Sequence, residues 1–282
     1  MEFERFFTQF IQERRFLKNS SELTILFYKD SWKVYKRFCS DINKQELTKF
    51  VLGMREAGTS PVTCNVRIRG MNSFLSWLHE QELTAEHLRI KQLKVEQKVK
   101  RTFTDEHIKA LISWRPLTFT EHRLHALVCL LIDTGARVRE ALSLRSDDVD
   151  LDNLLIRLTG KGNKQRVIPM SLELRKVLYH FKKKHDHDFV FPSRNGGKLL
   201  YDNTRRDFQA LCTKLGIEGV DGSFHAFRRK FAKSYVKNGG NVFFLMKQLG
   251  HTTIAMSKKY VEADEEDLAQ VHTRTSLLSR LR

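Results

Sequence analysis

Six residues of this chain carry groups suited to phosphate chemistry: Arg137, Lys161, His225, Arg228, His251 and Tyr260. They lie in short segments flanked by turn residues. "DTGARVREAL" places Arg137 two residues after Gly135, where one helix ends and another begins, and such a break can aim a side chain into a cleft. "TGKGNKQ" places Lys161 at a turn, and "FHAFRRKFA" places His225 and Arg228 at i and i+3, on one helix face. "LGHTTIAMSKKYVEA" carries His251 and then Tyr260, directly behind Lys258 and Lys259. Each has an ordinary reading: Arg137 as an ion-pair partner, Lys161 as a solvated turn residue, His225 as a buried polar contact, Tyr260 as a half-buried packing residue with a wet hydroxyl. Together they supply what transesterification at a phosphodiester needs. Two guanidiniums can clamp the non-bridging oxygens of a pentacoordinate transition state. A lysine or histidine can protonate an alkoxide leaving group. A phenol, with an ordinary pKa of about 10, becomes a nucleophile when neighbouring cations favour its anion.

The elements that must position these groups are mostly helical. Apolar residues recur at helical spacing through the first hundred residues: Phe6, Phe7 and Phe10, then Phe27, Trp32, Tyr35 and Phe38, then Leu47, Phe50 and Val51, then Met71, Phe74, Leu75 and Leu78. Breaks at "KNSSE", "SDINK" and "EAGTSP" supply caps and turns, so a bundle of about four helices is expected. Within it, Arg67 and Arg69 interleave with apolar residues, as on a helix that meets DNA with one face or on a solvated basic face. "KQLKVEQKVKR" is charged and poor in large apolar groups, as in an interdomain linker over 91–101. A new helix is expected after Thr104 as N-cap, with Asp105 and Glu106 in its first turn. The remainder reads as helical with one β interruption: "LLIRL" and "RVIPM" around "TGKGNKQ" form a hairpin, with Pro169 at a strand end or sheet edge.

The chain has 282 residues, enough for two domains, and 50 Lys and Arg stand against 33 Asp and Glu, a net charge of +17. Both the first hundred residues and the rest are basic, which suits a polyanionic partner gripped from two sides. No apolar run approaches the length that spans a bilayer, and neither a signal pattern nor a basic amphipathic membrane helix is evident. The four cysteines form no CxxC pair, as in a protein with reduced thiols. "TGKGNKQ" lacks the spacing of a phosphate-binding P-loop. The histidines of "HRLH" (His122, His125) and "HDH" (His185, His187) have no acidic or cysteine partners at metal-ligand spacing, and no metal site is expected.

The motifs "TGARVREALSLRSDDVD", "LTGKGNKQRVIP", "HAFRRKFA", "LGH" and a downstream tyrosine resemble, in order and spacing, those of the tyrosine recombinase or phage integrase family, and the resemblance covers nearly the whole chain. It implies a mainly α fold with a small β-sheet: an N-terminal helical, SAM-like core-binding domain over 1–90, the linker, and an α+β catalytic domain over 102–282. Arg137 and Arg228 would bind the scissile phosphate, Lys161 would protonate the departing 5′ oxygen, His225 would act in proton transfer, and His251 would hydrogen-bond the phosphate. Tyr260 would attack to give a 3′-phosphotyrosyl link, with Glu140 as a supporting acidic residue. Lys164, Arg229, Lys230, Lys258 and Lys259 would join Arg67 and Arg69 in contacting DNA. Arg229 and Lys230 stand where the family usually has His and Thr or Ser.

One phosphoester replaces another in this scheme, so no ATP, metal ion or other cofactor is required. The resemblance further implies double-stranded DNA with specific core sites as partner, Holliday-junction strand exchange, and a cytoplasmic, nucleoid-associated bacterial protein. Such proteins work as homotetramers joined by exchange of C-terminal tails; in "TSLLSRLR", Leu277, Leu278 and Leu281 share one helical face, suited to that contact or to folding back on their own domain. The compact length is like that of Xer-type recombinases and of the resolvases of transposon cointegrates. The alternatives are type IB topoisomerase-like nicking and resealing, and a catalytically silent, sequence-specific DNA-binding protein.

Overall fold

The computed structural model describes residues 2–96, 101–220 and 223–250, with Lys161 described in its backbone only. The chain divides into two compact units, Met1–Lys98 and Val99–Arg282.

The first unit holds four helices: α1 (Glu2–Phe16), α2 (Glu22–Phe38), α3 (Lys44–Glu56) and α4 (Pro61–Glu80). Three of the expected breaks provide the caps. Ser21 accepts from the Thr24 amide, Asn43 from the Gln45 and Glu46 amides, and Ser60 from the Thr63 amide, with Pro61 opening α4. The periodic apolar residues meet in one core, where Phe10, Phe50 and Phe74 are fully buried. Phe7 stacks on Trp32 at 4.9 Å between ring centroids. Two glutamates of α1 serve the indoles: Glu4 accepts from Trp32 Nε1 at 3.1 Å and Glu13 from Trp77 Nε1 at 2.5 Å. This fixes the register of α1 against α2 and α4.

After α4 the chain returns along that helix in an extended conformation. Asn65 and Asn72, two turns apart on α4, each bind a backbone residue through both ends of the amide. The Ile90 amide donates to Asn72 Oδ1 at 2.8 Å, while Asn72 Nδ2 donates to the Ile90 carbonyl at 2.9 Å. Asn65 and Leu93 repeat the pattern at 2.7 and 2.8 Å. The charged stretch starting at Lys91 therefore begins pinned to the first unit.

The second unit centres on α6 (Phe119–Thr134), buried on nearly all sides and packed against α5 (Asp105–Ser113), α8 (Leu172–Lys182), α9 (Tyr201–Lys214) and α10 (His225–Lys237). Thr104 caps α5 as expected, accepting from the His107 amide at 3.2 Å. The hairpin is present as β2 (Leu155–Thr159) and β3 (Gln165–Pro169), antiparallel with Ile156 opposite Ile168. Ile156, Leu158 and Ile168 point into the core. Pro169 ends β3, an edge strand, where its missing N–H costs no ladder bond. A two-residue strand, β1 (Val149–Asp150), pairs with the other edge of β2. The tip of the hairpin is a single 3₁₀ turn, Lys161–Asn163, closed by the Gly160 amide donating to the Lys164 carbonyl at 2.8 Å. The short helix α7 (Val138–Ala141) follows α6, and α11 (Val242–Leu249) ends the described residues. Among the described residues no helix is long and apolar enough to cross a membrane.

Candidate active site

The site is built on the turn between α6 and α7. Gly135 ends α6 in the left-handed conformation, at φ 63°. A β-carbon there would lie 2.5 Å from Phe231 Cδ1 and 3.0 Å from Leu249 Cδ2, so glycine is required by both backbone and packing. Arg137 follows as the N-cap of α7. Its amide donates to Glu140 Oε2 at 3.0 Å and its Nη1 donates to Oε1 at 2.9 Å. The Arg137 side chain remains 36% exposed, open to an incoming anion, whereas that of Glu140 is 5% exposed.

Arg228 reaches the same turn from α10. It is buried, and its Nη1 donates to the Gly135 carbonyl at 3.1 Å while Nη2 donates to the Leu249 carbonyl at 2.5 Å. His225 is exposed at the first position of α10, one turn before Arg228. The two sequence-predicted arginines, one on each side of the hairpin in the chain, thus converge on one backbone turn.

Arg166, a residue not expected at the site from sequence, completes the arrangement. From β3 it forms a bidentate pair with Glu140, Nη1 to Oε1 at 2.9 Å and Nη2 to Oε2 at 2.7 Å, and its Nε donates to the Gln248 carbonyl at 2.8 Å. Burial alone would raise the Glu140 pKa, but the hydrogen bonds from Arg166 and from the amide and side chain of Arg137, with the charge of Arg166, hold it at about 2. Glu140 is therefore a buried anion at neutral pH, bonded to Arg166 of β3 on one side and to Arg137, the N-cap of α7, on the other. The only sequence signal for Arg166 was its place inside "GNKQRVIP", since an arginine in a strand reads as a solvated residue until its partner is known.

The other expected contacts are dispersed. Lys161 lies at the hairpin tip and Lys164 is exposed beside it. Arg229 donates to the Arg101 carbonyl at 3.0 Å and Lys230 pairs with Asp105 at 2.5 Å, so both tie α10 to the start of the second unit. In the first unit Arg67 lies 3.7 Å from Asp30, whereas Arg69 is exposed. His125 packs against Trp114, and His185 stacks on His187 and meets the edge of Phe181, as packing histidines do. His251, Lys258, Lys259, Tyr260, Leu277, Leu278 and Leu281 lie outside the described residues.

Residues 101–267 match the model of the phage integrase family. Over 271 residues the chain is 27% identical to the tyrosine recombinase XerA of Thermococcus kodakarensis, covering 94% of this chain and 93% of that protein. The tyrosine recombinase XerC of Bacillus subtilis is 26% identical over 290 residues, 95% of each chain. Among solved structures, the Tn1549 transposon integrase in complex with circular intermediate DNA superposes with a TM-score of 0.76 at 18% identity, over 94% of this chain and 97% of that one, and so shares the fold. With a match over more than half its length, this chain belongs to the phage integrase family, the tyrosine recombinases.

Proposed function

We propose that the chain is a site-specific recombinase that cuts and rejoins double-stranded DNA through Tyr260. The phenolic oxygen of Tyr260 bonds to the scissile phosphorus as the bond from phosphorus to the 5′ oxygen breaks. Lys161 gives its proton to that oxygen, and His225 takes part in moving the phenolic proton. Arg137 and Arg228, with a hydrogen bond from His251, neutralise the non-bridging oxygens as charge builds. The products are a 3′-phosphotyrosyl link and a 5′ hydroxyl. A 5′ hydroxyl from a second duplex attacks the link in turn, restores the phenol and leaves a Holliday junction. The scheme needs neither ATP nor a metal ion.

The observation that carries this reading is the convergence of Arg137 and Arg228 on the α6–α7 turn, beside the hairpin of Lys161 and the end of α11 that leads to His251. Residues 1–90 act as the core-binding domain, with Arg69 the better placed of its two arginines for DNA because Arg67 faces Asp30. Residues 91–101 join it to the catalytic domain, 102–282, where Lys164, Lys258 and Lys259 contact DNA. Arg229 and Lys230 serve instead to hold α10 to Arg101 and to the first residue of α5. The chain works in the cytoplasm, on the nucleoid, as a Xer-like homotetramer that exchanges C-terminal tails on its core sites and resolves, excises or integrates DNA.

A pool of nicked duplexes of random sequence, incubated with the protein without metal, tests the reading. Captured duplexes linked to wild type and none linked to Tyr260→Phe are expected. DNA binding with no adduct would leave only a silent binding protein, and relaxation of plasmids without strand exchange would indicate a topoisomerase.

A further inference from the structure

We infer that Arg166 is the positioning residue of this site, a single guanidinium that locates the turn bearing Arg137, the hairpin bearing Lys161 and the backbone leading to His251. The inference rests on the recombinase reading above.

All three guanidinium nitrogens of Arg166 are engaged, two on Glu140 and one on the Gln248 carbonyl. Those partners lie on different elements: Glu140 on α7, Gln248 on α11, and Arg166 itself on the return strand of the hairpin. Glu140 passes the constraint on, because its two oxygens also accept the amide and Nη1 of Arg137. The planar fork suits this task, and a lysine in its place could satisfy only part of it. Its side chain is 14% exposed, so little of it remains for contacts with substrate.

Arg166 also sets the charge state of its partner. Among the described residues, the charged groups facing Glu140 are Arg137 at the α7 N-cap and Arg166 from β3; on α10, Arg228 bonds to the carbonyls of Gly135 and Leu249. The hairpin presents the Gly160 backbone close to Oε1, a position where a β-carbon would stand 3.2 Å away. Without Arg166, Glu140 stays buried with Arg137 alone, and burial raises its pKa. Protonation then occurs at higher pH and loosens Arg137 from its anchor.

The test uses the full chain, with a duplex captured by wild type as probe. Arg166→Gln and Arg166→Lys are compared with wild type in single-turnover cleavage across pH, in DNA affinity and in thermal unfolding. Cleavage should fall by about 100-fold, as for a small misplacement of reacting groups, with little change in affinity. Arg166→Gln should show an acid limb at higher pH than wild type, and adding Glu140→Gln should remove it. Arg166→Lys, which keeps the charge, covers the case in which the glutamine variant fails to fold. A folded variant with wild-type cleavage, or with slow cleavage whose pH profile parallels wild type, would overturn the inference. No capture by wild type would instead refute the recombinase reading, and the role of Arg166 with it.

Discussion

Gly135→Ala and Gly162→Ala make the same chemical change at two left-handed positions, at φ 63° and 74°. The conformational cost of placing alanine there is roughly 1–2 kcal/mol at each. The surroundings differ. At Gly162, on the hairpin tip, a β-carbon meets nothing within 4 Å. At Gly135 it meets the Phe231 ring at 2.5 Å and Leu249 at 3.0 Å, and both belong to the small cluster with Ala232 and Leu245 between α10 and α11. Overpacking of this kind costs a further ~1–3 kcal/mol. Gly135→Ala should therefore destabilise by about 2–5 kcal/mol and Gly162→Ala by about 1–2. In a unit of this size each kcal/mol lowers the melting temperature by roughly 2–4 °C. Urea and thermal unfolding of the two variants, each compared with wild type, measure the difference directly. Equal destabilisation by the two substitutions would refute the claim that packing at the α6–α7 turn, beyond backbone strain, demands glycine.

Other perturbations probe the remaining supports. The pKa of Glu140 is lowered in the folded state from 4.5 to about 2, so its contribution is fully present above pH ~4.5 and is lost as pH falls toward 2. The stability of Glu140→Gln should accordingly lose less across that window, by up to about 3 kcal/mol, in urea unfolding followed against pH. Asn72→Ala should remove protection from the Ile90 amide, and Asn65→Ala from the Leu93 amide, each by a factor of ~10 or more in hydrogen exchange. Arg123→Ala should cost about 1–3 kcal/mol in thermal or urea unfolding, because the Pro192 carbonyl, which accepts from the buried guanidinium at 2.6 Å, loses its donor.

Local signals carried far in this chain. Ser21, Asn43, Ser60 and Thr104 cap the helices that their types predicted, and helical periodicity located the aromatic core of the first unit. The hairpin was legible because its two strands are β-branched and lie next to each other in sequence. Other features depend on partners distant in the chain. β1 is two residues long and exists only through its pairing with β2, so it leaves no periodic pattern. The extended return along α4 depends on two asparagine amides that in sequence resemble any helix-surface residue. Glu140 was expected at the site from the family resemblance, but its partner Arg166 was not. Arg123 and Arg166 look solvated in sequence, and only tertiary contacts reveal one as a buried donor and the other as a largely buried one.

The bonds of Arg166 and Arg228 to main-chain carbonyls recur elsewhere in the second unit. Arg123 donates to Pro192, Arg175 to Leu151 and Arg229 to Arg101. Among the described residues, five arginines of that unit thus act as fasteners, their acceptors supplied by the peptide backbone, which no side-chain substitution can delete. The 50 Lys and Arg of the chain consequently overstate the number of cations available to displace counterions from a duplex. The positive charge of the fasteners still adds to the long-range field that draws a polyanion in. The slope of DNA affinity against salt should instead report the outward-facing lysines and arginines, and loss of a fastener should register in melting before it registers in that slope.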